Sequence, residues 1–206
     1  MLTIWGRANS INVQKVLWCC GELDLPFRRI DAGREFGRND TPEYRQLNPN
    51  GLVPTIEDGG FVLWESNVIL RYLAVKHHAH EIFPPDIRMR FAVERWMDWH
   101  ATTLWPALRP AFFALVRTPP DQRDPGMLGR AQEDTERAFL ILEQELSGRP
   151  FVAGERFTIA DIPIGIAAHR WFALEVARPP LPSLERWYGM VRDRPAFREH
   201  VGRPLS

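Results

Sequence analysis

The sequence predicts a small α/β domain followed by an all-helical one. Up to His77, short apolar runs alternate with two stretches of helical period, Ile11 to Cys20 and Ser66 to Leu73. Phe83-Pro84-Pro85-Asp86 then reads as a linker. Beyond it, apolar residues recur at helical spacing and no strand-like alternation is seen. The expected bounds are residues 1–77 for the first domain, 78–86 for the linker and 87–206 for the second.

Leu2 to Gly6 is expected as a strand and Arg7-Ala8-Asn9-Ser10 as a polar loop. Val13, Val16, Leu17 and Cys20 follow at i, i+3, i+4 and i+7, one face of a helix. Cys19 and Cys20 should pack in or beside that face, away from the helix N-terminus that would activate a thiol. Phe27 to Ile30 is a second strand, and the polar, Gly-containing stretch from Ala32 to Leu47 is expected as a loop with one irregular helical turn.

Residues 48–73 organise the first domain. Asn48-Pro49-Asn50-Gly51 is a turn signal. Pro54-Thr55-Ile56 and Phe61-Val62-Leu63-Trp64 are apolar runs separated by Asp58-Gly59-Gly60, the pattern of a hairpin. Val53-Pro54 opens a strand and is expected to be cis. Ser66 stands where a helix begins, with Val68, Ile69, Tyr72 and Leu73 on its apolar face. Free N–H groups and the helix dipole attract an anion there. With Glu65 alongside, the pair suits a ligand carrying a carboxylate and an ammonium on one carbon.

His77, His78 and His80 lie near the C-terminus of that helix, where the dipole favours protonated imidazole; no acidic or cysteine ligands accompany them as a metal site would require. In the second domain a long helix is expected from about Ile87 to Thr103, with Val93, Trp96, Met97 and His100 facing inward. His100 reads as a hydrogen-bonded core or interface histidine. Pro106 and Pro110 should kink or break the helical run beyond it. The aromatics around them, Trp99, Trp105, Phe112 and Phe113, are either core or the wall of an apolar pocket facing the first domain. Thr118 to Gly126 is a loop. Leu128, Ala131, Thr135, Ala138 and Leu142 mark a helix ending near Ser147-Gly148. Thr158 and Asp161 have capping-box spacing. Ile162 to Phe172 is apolar nearly all round, hence a buried helix, in which Pro163 should cost one backbone bond. A last helix starts near Pro182, with Trp187, Tyr188 and Val191 inward.

Composition excludes several functions. Basic and acidic residues balance at 26 each, nine of each falling in the first 80 residues, so neither domain is a basic nucleic-acid module. No run of about 18 apolar residues predicts a membrane helix. Met1 to Trp5 runs straight into a strand, and two adjacent cysteines cannot readily pair, which together suit a reducing, cytoplasmic setting.

Gly51-Leu52-Val53-Pro54, followed by Glu65-Ser66-Asn67-Val68-Ile69-Leu70-Arg71-Tyr72-Leu73, resembles the glutathione-binding half of the cytosolic glutathione S-transferases, most closely the bacterial serine-type or theta-like members. The order β-α-β, β-β-α looks like that family's thioredoxin-like domain. The segments at Thr158 to Asp161 and Arg194 to Phe197 resemble its helical domain. The resemblance implies an enzyme that activates the thiol of glutathione for attack on an apolar electrophile, a detoxifying transferase. It implies glutathione as co-substrate without a metal, a homodimer, and no nucleic-acid or membrane partner.

It also assigns residues. Ser10 would activate the thiol, with Asn12 as second candidate. Leu52, Val53, Pro54, Glu65, Ser66 and Gln46 would hold glutathione. Trp105, Arg109, Phe112 and Phe113 would line the co-substrate pocket. One departure stands out: Leu52 occupies the place of a polar residue that often reaches the glycine carboxylate, leaving Gln46, Lys15 or Arg34 to replace it. Ser10 lies in no G-x-S-x-G elbow and the loop holds no C-x-x-C pair, so neither a covalent serine nor a dithiol mechanism is indicated. The alternatives are a glutathione-dependent disulfide or peroxide reductase on the same fold, and a non-catalytic binding or scaffold protein.

Overall fold

The computed structural model describes residues 1–205. A four-stranded mixed sheet has the order β2-β1-β3-β4, built from β1 (Leu2–Trp5), β2 (Phe27–Ile30), β3 (Thr55–Asp58) and β4 (Phe61–Trp64). β1 and β2 are parallel, and the crossover between them carries helix α1 (Ile11–Glu22). β3 runs antiparallel to both β1 and β4. Side chains alternate along a strand. Ile4 and Ile56 are accordingly fully buried in the apolar core, together with residues of α1 and of α3 (Ser66–Lys76). Trp5 instead meets Tyr44 edge to face at 5.9 Å.

Tyr44 belongs to a stretch more helical than the single irregular turn expected there. The stretch from Ala32 to Leu47 contains a 3-10 turn at Arg34–Phe36 and helix α2 (Pro42–Leu47). Thr41 caps α2 through its hydroxyl, and Pro42 sits in the first turn. Only Tyr44 of this helix is buried, so a polar sequence lacking an apolar stripe still forms a helix.

Among the described residues the second domain is helical, with six helices: α4 (Ile87–Trp99), α5 (Trp105–Val116), α6 (Pro125–Leu146), α7 (Asp161–Ala173), α8 (Pro182–Arg192) and α9 (Pro195–His200). Pro106 and Pro110 do not break the chain. A π-helical stretch, His100–Leu104, joins α4 to α5 without a gap, and Pro106 falls in the first turn of α5. The widened turn upstream accommodates Pro106, while Pro110 lies inside α5. Pro163 is likewise cheaper than expected. It is the third residue of α7, where an N–H has no intrahelical partner.

α7 is buried along most of its length, as its uniform apolarity predicted. Its N-terminus carries a buried polar knot. Asp161 Oδ1 accepts from the Val152 N–H at 3.1 Å and from Trp187 Nε1 at 2.8 Å. Its Oδ2 accepts from the Thr158 N–H at 2.8 Å and the Thr158 hydroxyl at 3.2 Å. The capping pair is thus a four-donor site that ties α7 to α8 and to the preceding loop.

The domains share a core. Trp18 of α1 lies between Phe157 and Phe197, with centroids 5.9 and 5.0 Å away. A Cβ on Gly165 would come within 2.9 Å of the Trp18 ring, so α7 needs glycine where it passes that indole. Arg194 grips Glu22 through two hydrogen bonds of 2.7 and 2.5 Å. Cys19 and Cys20 are fully buried free thiols; burial pushes Cys20 up to about 12 and raises Cys19 as well. They are packing residues, as expected.

Candidate functional site

A cleft of about 430 Å³ opens between the domains. Its floor comes from the loop before α1 and the start of α1: Arg7, Ser10, Ile11 and Asn12. One wall comes from Gly33, Arg34, Asn39, Asn48, Asn50, Leu52, Val53, Pro54, Glu65 and Ser66. The facing wall is Trp105, Arg109, Phe112, Phe113, Arg117 and Arg170.

Ser10 is the N-cap residue of α1, with extended backbone angles (φ −78, ψ 127), yet its side chain makes no capping hydrogen bond. A hydroxyl in that position would ordinarily satisfy an orphan N–H. Here it borders the cleft beside the open N-terminus of the helix.

Glu65 is the N-cap of α3 and adopts a left-handed backbone, φ 71. That conformation is uncommon for a non-glycine residue and costs on the order of 1 kcal/mol or more. It leaves the carboxylate exposed on the cleft while Ser66 starts the helix. Ser66 Oγ donates to Asn12 Oδ1 at 3.3 Å and accepts from Lys15 Nζ at 3.3 Å. Lys15 Nζ also donates to Asn67 Oδ1 at 3.2 Å. The two helix starts are thereby tied together, and the carbonyl end of Asn12 is committed to Ser66.

The Val53-Pro54 bond is cis. The carbonyl of Leu52, just before it, accepts from the Tyr44 hydroxyl at 2.7 Å and from Asn48 Nδ2 at 2.9 Å. Thr55 Oγ1 joins both partners at 2.8 and 3.1 Å. This buried network fixes the backbone of the loop while the Leu52 side chain stays 65% exposed.

Of the three residues expected to compensate for Leu52, only Arg34 lines the cleft, alongside Asn39 and Asn50. Lys15 is engaged beneath Ser66. Gln46 is exposed and lies outside the lining: two positions after buried Tyr44, it points to the opposite side of α2. The remaining anticipated residues do converge: Ser10, Asn12, Leu52, Val53, Pro54, Glu65, Ser66, Trp105, Arg109, Phe112 and Phe113 all border one cavity. Missed were Arg7, Arg117 and Arg170, and the asparagines of the loops. Arg170 had a readable signal, a charged residue within a helix that is apolar from Ile162 to Ala168.

Beneath the cleft, burial pushes the Lys15 ammonium down to about 7, against the opposing pull of Glu65. His100 is buried and, contrary to expectation, neither ring nitrogen has a partner; burial and then Lys15 hold it well below its usual range. For Lys15 the folded value lies below the unfolded value of 10.5. Its contribution to stability is therefore complete above pH 10.5 and is lost as pH falls toward about 7. Lys15→Met is expected to flatten the rise in stability between those limits, measured by urea unfolding at several pH values. A slope identical to that of the parent chain would mean that the ammonium is solvated.

Comparison with known proteins bears on what the cleft is for. The N-terminal domain model of glutathione S-transferases matches residues 1–75, and the C-terminal domain model matches residues 97–195. The chain is 40% identical to glutathione S-transferase GstB of Escherichia coli strain K12 over 208 residues, covering all of both chains. It belongs to the glutathione S-transferase family. Among solved structures, the theta class glutathione S-transferase of Xanthomonas axonopodis pv. citri with glutathione bound superposes with a TM-score of 0.96 at 42% identity, over 100% of this chain and 99% of that one. Another relative, disulfide-bond oxidoreductase YfcG of Escherichia coli strain K12, is 30% identical over 85% of this chain and 82% of its own. Within the glutathione S-transferase fold, the cleft lies where the thioredoxin-like sheet domain faces α5 and α7. Among the described residues no helix is long and apolar enough to cross a membrane.

Proposed function

We propose that this chain is a glutathione transferase that joins the glutathione thiol to an electrophilic carbon. The γ-glutamyl end would rest on Glu65 and Ser66: the carboxylate of Glu65 takes the ammonium, and the N-terminus of α3 with the Ser66 hydroxyl, rotated from Asn12 to the ligand, takes the carboxylate. The cysteinyl segment would pair with the backbone of Val53, and the glycine carboxylate would meet Arg34 and the loop asparagines. The thiol then falls beside Ser10 at the start of α1. The observation that carries this reading is the Ser10 hydroxyl, which sits at a helix N-terminus, leaves the helix uncapped and borders the same cavity as Glu65 and Ser66.

The site asks little of a general base. A hydroxyl donor and a helix N-terminus both favour the thiolate over the thiol. Cys19 and Cys20 are sealed in the core and take no part. The proposed arrangement further includes a homodimer in the cytosol, with the glutathione domain at 1–77, a linker at 78–86 and the helical domain at 87–206. The test is titration with glutathione while thiolate absorbance is followed at neutral pH. Ionisation of the bound thiol is expected; binding without ionisation would favour a scaffold role.

The kinship with a disulfide-bond oxidoreductase supports a second reading, in which the same thiolate attacks a disulfide sulfur. Assaying an aryl halide and a mixed disulfide side by side separates the two.

Ser66→Ala is expected to weaken glutathione binding by about 1.5–3 kcal/mol, the range for a hydrogen bond to a charged group. Calorimetric titration reads it directly. Unaltered affinity in both Ser66→Ala and Glu65→Gln would move the γ-glutamyl site elsewhere.

A further inference from the structure

The glutathione reading does not account for the arginines at the helical end of the cleft. Arg109 lies over the Phe113 ring at 5.3 Å, and Arg170 over Phe112 at 4.3 Å and Trp105 at 5.9 Å. Arg7, on the floor, completes the group. Among the described residues, none of these three forms an ion pair. Arg170 is 97% buried by area (3% exposed) and spends one nitrogen on the Asn9 carbonyl and Gln14 Oε1, each at 3.3 Å; its Nε has no partner. Arg7 is 8% exposed, donates to Asn9 Oδ1, and its Nε is also without a partner. Burial, then Arg117 and Arg7, push Arg170 down to about 9. Arg7 and Arg170 repel each other in the buried part of the cleft, while Arg109 stacks on Phe113 at its exposed rim. An isolated buried charge is costly unless paired, and a guanidinium stacked on a ring still presents its edge to an oxyanion.

We infer that the co-substrate of this enzyme is an organic anion, an electrophile whose apolar or aromatic frame lies on Trp105 and Phe113 while its carboxylate or sulfonate is held by Arg170 and Arg109. This rests on the transferase reading of the cleft. Glutathione's own groups are provided for at the opposite end, so the anion served here is not one of its carboxylates. With an anionic aryl or benzyl halide the step balances simply: the thiolate sulfur forms the new C–S bond, the halide leaves with the bonding pair, and no proton moves.

Two conjugates that differ by one group test the inference without requiring turnover. S-benzylglutathione and S-(4-carboxybenzyl)glutathione place the same ring in the co-substrate half, with and without a carboxylate. At low salt the carboxylated conjugate is expected to bind at least about tenfold more tightly by calorimetry, the yield of one charge-assisted hydrogen bond, and to lose that advantage as salt is raised. Arg170→Gln should reduce the preference at least about fivefold. Arg109→Gln should do so as well; Arg109 is exposed at the rim and can be changed without touching the core. Equal or weaker binding of the carboxylated conjugate to the parent chain would overturn the inference and leave the transferase reading standing. A preference that survives in both variants would overturn the assignment to these arginines. Failure of both conjugates to bind would sink the glutathione site itself, and the inference with it.

Discussion

Replacing Asp161 by alanine is expected to lower the unfolding free energy by about 3–4 kcal/mol. The mutation removes one small carboxylate but strands three buried donors: the N–H groups of Val152 and Thr158 and the Trp187 indole. Each buried donor left unmade costs about 1–3 kcal/mol. Part of that is offset because the variant no longer buries a carboxyl. For a chain of this size the loss corresponds to a fall in Tm of roughly 10 °C. The damage also crosses elements, since Trp187 is on α8 and Val152 precedes α7. Asp161→Asn is expected to recover only part of the loss, because an amide presents one acceptor where the carboxylate presents two.

pH gives an independent readout. Burial raises the Asp161 carboxyl to about 6, against the four donors that lower it. The folded value exceeds the unfolded value of 3.8, so the folded chain retains a proton that the unfolded chain has released. The corresponding stability is complete below about pH 4 and is lost as pH rises through about 6. Asp161→Asn should remove that decline. Thermal melts across this range decide the matter: a variant less than about 1 kcal/mol weaker, with the decline intact, would reduce Asp161 to an ordinary surface-type cap.

Ser10→Ala is expected to raise the pKa of bound glutathione by about 1–2 units and to cut turnover at pH 7 by about tenfold or more. A free thiol with a pKa of about 8.5 is roughly 3% ionised at pH 7. A drop of about 2 units would make it roughly three quarters ionised and requires about 2.7 kcal/mol. One hydroxyl donating to a charged sulfur supplies about 1.5–3 kcal/mol, and the start of α1 adds about 0.3–1. The two together suffice. Affinity should change much less, because the charged ends of glutathione are held elsewhere. Asn12→Ala is the comparison. Its oxygen accepts from Ser66, so its loss should weaken glutathione binding more than it shifts the thiol. Spectroscopic titration of the bound thiol in both variants is the measurement. An unshifted thiol and full activity in Ser10→Ala would leave Ser10 as a helix cap.

Where the sequence was legible, a local rule applied. The strand at Phe27–Ile30, the hairpin around Asp58-Gly59-Gly60, the cis bond before Pro54 and the helix start at Ser66 each follow from a few adjacent residues. Where it misled, a distant neighbour intervened. α2 has no apolar stripe to read; it is held by a threonine cap and by one tyrosine that packs on Trp5 and bonds to Leu52. Pro106 should have ended a helix, but a π-turn five residues long absorbs it. His100 should have been hydrogen-bonded, but it is enclosed with both nitrogens unpartnered.

By itself, the sequence determined the two-domain order, the cis bond at Val53-Pro54, the helix start at Ser66 and the buried helix over Ile162 to Phe172, because caps, turns and period act over a few residues. Only the tertiary structure decided which polar residues share the cleft. It removed Gln46, which faces outward from α2, and drew Lys15 beneath Ser66. It also brought Arg7, Arg109 and Arg170 together from positions far apart in the chain. That last juxtaposition depends on how α5 and α7 pack against the sheet domain, and charge placed by packing leaves no local pattern to read.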